Sequence, residues 1–238
     1  GKFESSWLEK HLQMRKTWVD ETLLNLESKT SRKSWQGGVI HPLQLAVDVM
    51  ETMEDGNHLV FDGGNTHFWS EIAANVIAQQ GKNLSTIMHP GSFSLLGLGV
   101  SFAVSLKRIH PQDNVVLISG DGAFLSGGLS IELAFQEELP IVVIVDNNGG
   151  LDCISQQQER MFQSGSHFAT DFRDIPFHDM FKGLGGYGEL VTNRADIKSA
   201  VKRAINSGKP ACINVKTRGQ ISPIVAATSD KRDKSSIE

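Results

Sequence analysis

Two apolar runs, Val115-Val116-Leu117-Ile118 and Ile141-Val142-Val143-Ile144-Val145, restrict the fold of this chain more than anything else in it. Neither alternates with polar residues. A strand apolar at every position is covered on both faces, as inside a parallel sheet flanked by helices. Each run ends in a small polar cluster, Gly120-Asp121-Gly122 and Asn147-Asn148, with 24 residues between the clusters. Open parallel sheets bind ligands beyond the carboxyl ends of their strands. Asp121 and Asn148 are therefore expected to meet there. A carboxylate and an amide oxygen suit Mg²⁺, which takes hard oxygen ligands and often a phosphate. Gly120 and Gly122 would let backbone N–H groups approach phosphate oxygens closely. A glycine-flanked Asp alone is also a common surface turn; the paired runs and their spacing set this one apart.

The rest of the chain alternates strands and helices. His41-Pro42 opens a helix through about Met53, with proline in its first turn. Leu59-Val60-Phe61 reads as a short strand ending in Asp62-Gly63-Gly64-Asn65-Thr66, and a helix follows around Trp69 to Gln79. Gly91 to Lys107 reads as a glycine-rich loop entering a helix, and Leu129 to Glu138 as a helix between the two apolar strands. Residues 149–174 are polar and irregular, a length that marks a functional or mobile loop. Helices over about Ile175–Lys182 and Arg194–Asn206 and a strand at Cys212–Val215 complete the pattern. The class is α/β, a doubly wound, mainly parallel sheet with helices on both faces. Gly183-Leu184-Gly185-Gly186-Tyr187-Gly188 imitates a dinucleotide loop, but it follows a helix and precedes a strand, so it reads as a helix stop.

Three regions are expected. Residues 1–36 form a linker-helix region containing Trp7, Trp18 and Trp35, tryptophans that suggest a helix docked against something else. Residues 37–218 form the cofactor-binding domain, and 219–238 a mobile tail rich in Ser, Asp and Lys. A net charge of −4 with interspersed signs gives no reason to expect nucleic acid. No stretch approaches the roughly 20 apolar residues of a membrane span. Two cysteines, Cys153 and Cys212, are too few for a disulfide framework or a zinc site by spacing, and a reducing cytoplasm is the default expectation.

The Gly-Asp-Gly and Asn-Asn motifs, with His41-Pro42, the 62–66 segment, Leu96-Gly97-Leu98-Gly99 and Leu139-Pro140, resemble the diphosphate-binding (PP) domain of thiamine-diphosphate enzymes. The likeness is to the superfamily of acetolactate synthase, oxalyl-CoA decarboxylase and 2-hydroxyacyl-CoA lyase, and spans about Trp7 to Arg218. It implies thiamine diphosphate and Mg²⁺ as cofactors, with Asp121, Asn148 and the Gly150 carbonyl as metal ligands. Gly120, Gly122, Ala123, Asn65 and Thr66 would lie along the diphosphate, although Asn65 and Thr66 would serve equally as helix caps. Leu96, 25 positions before Asp121, would support the thiazolium ring and keep the cofactor bent, unless it is an ordinary core leucine. Main-chain groups of Ser94 and Leu96 would hold the aminopyrimidine. His89 could face the reacting carbon or be structural; His67 shares the ambiguity.

Acetolactate synthases carry a Gly-Met-Val-x-Gln-Trp stretch along the substrate pocket, and this chain aligns there as Asp152-Cys153-Ile154-Ser155-Gln156-Gln157. Cys153 and Gln157 replace the Met and Trp, which counts against a true acetolactate synthase. Gln156 and Gln157 are the candidate pocket residues. The resemblance also implies a pyrimidine-binding (PYR) domain, from another subunit or an N-terminal half, that supplies an activating glutamate. The expected substrate is a small 2-oxoacid or an acyl-CoA, and the expected assembly a dimer or tetramer. A split 2-oxoacid decarboxylase subunit and a non-catalytic cofactor-binding module are the alternatives.

Overall fold

The computed structural model describes residues 5–28, 40–162 and 167–226. Six strands form one parallel sheet: β1 (His58–Asp62), β2 (Thr86–Met88), β3 (Val115–Gly120), β4 (Ile141–Asn147), β5 (Tyr187–Val191) and β6 (Ala211–Lys216). Their order is β2-β1-β3-β4-β6-β5, and every pairing is parallel. The chain runs from β1 outward to β2, then returns past β1 to β3. This reversal puts a switch point between β1 and β3, where an open sheet leaves a crevice beyond the strand ends.

The two apolar runs are β3 and β4, buried along their whole length as expected. Side chains on a strand alternate between faces, so each run feeds two cores. Val116, Ile118, Val142 and Ile144 join one core with Phe61, Trp69 and Ile213. Val115, Leu117, Ile141, Val143 and Val145 join the other with Phe124, Phe177 and Phe181. On the first face lie α2 (Pro42–Thr52), α3 (Asn65–Gln79) and α9 (Ile197–Asn206). In α9 the buried residues Ile197, Ala200, Val201 and Ala204 follow the spacing of one helix stripe. His41 caps α2 with Nδ1 accepting the Leu43 N–H at 3.0 Å, and Pro42 needs no amide partner there. On the second face lie α4 (Gly99–Ile109), α5 (Asp121–Gly127), α6 (Glu132–Gln136) and α8 (Phe177–Gly183). Helices α1 (Ser5–Ser28) and α7 (Asp152–Phe162) complete the set among the described residues.

Several expectations change. The helix expected over 129–138 is the short α6 preceded by a 3₁₀ turn, and α5 starts directly at Asp121. The stretch 149–174 is not irregular throughout, since it contains α7. The tail expected to be mobile from 219 begins inside the fold. Ser222 and Val225 are buried, the Gln220 carbonyl accepts the Trp69 indole N–H at 2.9 Å, and 223–226 form a helical turn. The remainder, 227–238, lies outside the described residues, as do Trp35 and most of the segment that joins the opening helix to the domain. On α1, Trp7, Leu8, Leu12, Met14 and Trp18 are largely exposed. No helix among the described residues is long and apolar enough to cross a membrane.

Candidate functional site at the carboxyl ends of the strands

A cleft of about 340 Å³ opens at the switch point. Its wall is built from the chain leaving β1 (Gly63 to Phe68), the start of α5 (Gly120 to Ala123), the loop after β4 and the first residues of α7. Ser94 and Leu96 close it from one side. The fold thus brings Asn65, Thr66, Ser94, Leu96, Gly120, Asp121, Gly122, Ala123, Asn148 and Gly150 into one cleft.

Asp121 is 3% exposed and joins both motifs. Its Oδ1 accepts the Gly122 N–H at 2.7 Å, and its Oδ2 accepts those of Gly149 and Gly150 at 2.8 and 3.0 Å. Burial pushes its carboxyl up to about 7; Asp146 adds to the rise and the three N–H groups oppose it. Asn148 Oδ1, beside it, is shut off from solvent and has no hydrogen-bond partner among the described residues. A buried acceptor left unpaired costs free energy unless a donor or cation meets it. A carboxylate that burial discourages from ionising, next to an amide oxygen without a partner, is a donor set that fits a hard divalent cation. The Gly150 carbonyl accepts the Asp152 N–H at 2.9 Å and keeps a second lone pair. A side chain at position 150 would press on the Thr170 carbonyl at 2.4 Å. Asn147, the other half of the pair, is structural: its Nδ2 donates to Asn214 Oδ1 at 2.9 Å, tying β4 to β6.

Thr66 and Asn65 begin α3 but spend their side chains inside the chain. Thr66 Oγ1 donates to the buried Asp146 carboxylate at 2.7 Å, and Thr217 Oγ1 donates to the same group. Asn65 Nδ2 donates to Asp152 Oδ2 at 3.2 Å, while its Oδ1 accepts the Ser222 N–H at 3.0 Å. Leu96 stands 38% exposed on a loop that passes through Ser94, which is left-handed at φ 48°.

Three candidates fall elsewhere. Gln156 and Gln157 lie one turn into α7, beyond the lining: Gln156 Nε2 donates to Asp152 Oδ2 at 2.7 Å, and Gln157 Nε2 approaches Cys153 Sγ at 3.5 Å. Asp152, Cys153 and Ile154 form the wall instead, because the start of α7 meets the cleft, and Gln156 and Gln157 lie on the same face one turn farther along the axis. His89 is exposed on the rim, its Nδ1 accepting the Gly91 N–H at 3.1 Å and its ring 4.8 Å from His67, which does line the cleft. Asp152 is the residue the sequence reading undervalued. Burial pushes its carboxyl up to about 6, against hydrogen bonds from Gln156 and Asn65. Burial also raises the Cys153 thiol, which makes it a poor nucleophile.

A parallel sheet whose switch-point cleft holds glycine-flanked backbone N–H groups, a buried acid and an unpaired amide oxygen defines an α/β cofactor-binding domain. Residues 62–215 match the family of thiamine pyrophosphate enzymes, C-terminal TPP binding domain, and the chain belongs to it. It is 28% identical over 179 residues to the acetolactate synthase large subunit IlvG of Mycobacterium tuberculosis, covering 75% of this chain and 31% of that protein. It is 29% identical over 182 residues to human 2-hydroxyacyl-CoA lyase 2, covering 74% of this chain and 28% of that one. The fold is similar to that of a thiamine diphosphate-dependent 4-hydroxybenzoylformate decarboxylase from Rhodococcus jostii, with TM-score 0.66 and 24% identity, over 82% of this chain and 36% of that chain. The chain spans about a third of the length of the curated relatives it matches.

Proposed function

We propose that the chain is the PP half or subunit of a thiamine-diphosphate- and Mg²⁺-dependent enzyme that cleaves or forms carbon–carbon bonds next to a carbonyl. The substrate is of 2-oxoacid or 2-hydroxyacyl-CoA type, the partner a PYR domain, the assembly a dimer or tetramer, and the compartment the cytoplasm. The observation that supports this reading is that Asp121, bonded to the Gly149 N–H, and Asn148, whose buried Oδ1 has no partner among the described residues, line one cleft.

Asp121, Asn148 and the Gly150 carbonyl would hold the cation. When bound, thiamine diphosphate supplies the nucleophilic, electron-accepting carbon that protein side chains lack. The chain's own part is positioning. Gly120, Gly122 and Ala123 open α5 with backbone N–H groups free of bulky side chains, where a helix start favours anions. Asn65 and Thr66 hold the wall through Asp152 and Asp146. Leu96 offers an apolar support against which a bent cofactor can rest, with the Ser94 main chain beside it. Asp152, Cys153 and Ile154 line the cleft, and the departures at Cys153 and Gln157 from the acetolactate-synthase pattern count against a true acetolactate synthase, leaving a lyase, a decarboxylase or a related carboligase of the superfamily.

Calorimetric titration with Mg²⁺ and thiamine diphosphate tests the metal assignment. Weak binding is expected for the chain alone and none for Asp121→Ala, because the variant sets only neutral oxygens against a charged diphosphate. Equal affinity in the two proteins would refute it.

A further inference from the structure

We propose a second metal site, for a transition metal such as Zn²⁺, at the opposite end of the sheet, formed by His58, His110 and Asp113. His58 is the first residue of β1 and is 1% exposed. His110 caps the end of α4, and Asp113 lies in the loop entering β3. His58 Nε2 lies 3.1 Å from Asp113 Oδ2, and His110 Nδ1 lies 3.7 Å from the same oxygen. One donor atom from each residue falls within 4.8 Å of the other two. Four-coordinate zinc with ligands at about 2.0–2.1 Å separates its donor atoms by about 3.3 Å. The two observed separations bracket that spacing.

The convergence has no complete explanation in hydrogen bonding. At 3.7 Å the His110 nitrogen is too far from the carboxylate for a hydrogen bond. Yet its ring is held 4.3 Å from that of His58 at an interplanar angle of 31°. His58 Nδ1 is buried without a partner among the described residues, so Nε2 is the nitrogen through which this ring acts. A cation between the three donors would engage the His110 nitrogen and the carboxylate together.

The surrounding backbone holds the groups in place. The His58 N–H donates to the Asn114 carbonyl at 2.9 Å, the Asn114 N–H to Asn57 Oδ1 at 3.3 Å, and the Asp113 N–H to the His110 carbonyl at 3.2 Å. Lys107 lies close, but its ammonium donates to the Asp113 main-chain carbonyl at 2.8 Å rather than to the carboxylate. Two imidazoles with one carboxylate select zinc, cobalt or nickel over the all-oxygen preference of Mg²⁺. Three protein ligands also leave a fourth position for water. A bound ion would clamp the end of α4 to β1 and β3.

The test is Zn²⁺ titration calorimetry in excess Mg²⁺ and thiamine diphosphate, which mask the cleft, on the wild type, His110→Ala, Asp113→Asn and His89→Ala. The last variant controls for the other cluster, His67, Glu71 and His89. One Zn²⁺ per chain is expected in the wild type and His89→Ala, with affinity about tenfold or more weaker in His110→Ala and Asp113→Asn. Co²⁺ in place of Zn²⁺ should give the visible absorption of a four-coordinate site, lost in His110→Ala. His110 is partly exposed, so this variant should fold as the wild type does, which circular dichroism checks. Unchanged Zn²⁺ affinity in His110→Ala, or loss confined to His89→Ala, overturns the proposal.

Discussion

The Asp62 carboxylate at the end of β1 accepts the Gly99 N–H at 2.7 Å, and the same oxygen accepts that of Gly97 at 3.0 Å. Through these bonds a strand end fixes the loop that presents Leu96 to the cleft. The loop leaves little freedom for anything else: Gly97 sits at φ 94°, and a Cβ there would lie 2.7 Å from the Gly127 amide nitrogen. Asp62 is 1% exposed, and burial raises its carboxyl against the N–H groups of Gly99, Gly97 and Gly63 and the charge of His67, which lower it.

Replacing Asp62 with Ala would leave two buried N–H groups unpaired, at about 1–3 kcal/mol each. The expected loss of stability is about 2–5 kcal/mol, read by urea denaturation. Amide exchange should quicken at Gly97 and Gly99. Exchange there at the wild-type rate would show that Asp62 does not hold the loop.

His41 makes the fold sensitive to acid. Its ring is 2% exposed, caps α2 through Nδ1 and packs edge-on against Trp69 at 4.8 Å. Burial, then the charge of Arg218, lowers its pKa from 6.5 to about 3. Between those values the unfolded chain takes up a proton that the folded chain refuses. The stabilisation is therefore complete above pH 6.5 and is lost as the pH falls toward 3, at about 1.4 kcal/mol per unit once well below the upper value. His41→Asn keeps a cap acceptor that does not titrate. From pH 7 to pH 5 the wild type should lose about 2 kcal/mol more than the variant. Asp121 and Asp152, pushed up to about 7 and about 6, act in the opposite sense but equally in both proteins. Parallel losses in the two proteins would remove His41 as the cause.

Asn65 joins the wall of the cleft to the helical turn at 223–226 through Asp152 and the Ser222 N–H. Asn65→Ala should release 219–226 from the domain while leaving the sheet intact. Limited proteolysis would then cut near Ser222 many times faster than in the wild type. Unaltered resistance there would place the anchor elsewhere, as in the Trp69–Gln220 bond or the Arg160 bond to the Ala226 carbonyl.

Strands β3 and β4 could be read from the sequence because each carries an unbroken apolar run that ends in a polar cluster, a pattern that local propensity and burial enforce together. Helix α7 could not, because Ser155 is its one buried residue and no apolar stripe betrays it. Strand β2 is three residues long at the sheet edge, too short to show a period. In the cleft, which both Asp121 and Asn148 line, the two were visible by spacing. Asp62 was visible as part of a motif, but its work depends on amides 35 and 37 positions away. Gln156 and Gln157 lie beyond the lining because they sit one turn farther along α7 than Asp152 and Cys153, a distance that residue order alone does not display.

The proposed function requires a carboxylate that the described residues do not place free in the cleft. The acidic residues lining the cleft are Asp121 and Asp152. Asp121 takes three backbone N–H groups and faces Asn148; Asp152 is engaged by Asn65 and Gln156. Glu71, near the rim, pairs with His67 Nε2 at 3.1 Å. On the proposed reading, the glutamate that polarises the aminopyrimidine end of the cofactor would come from a PYR domain. Exposed apolar side chains stand ready near the cleft and beside α5 to meet one: Phe93 is 94% exposed, Leu95 57% and Leu129 81%. The chain alone, saturated with Mg²⁺ and thiamine diphosphate, should therefore exchange the cofactor's C2 proton at the rate of free cofactor when followed by NMR in deuterium oxide. Addition of a PYR domain should raise that rate by orders of magnitude, and substitution of the partner's glutamate should return it to background. Fast exchange by the isolated chain would mean that one of its own carboxylates does the work, and the half-enzyme reading would fall.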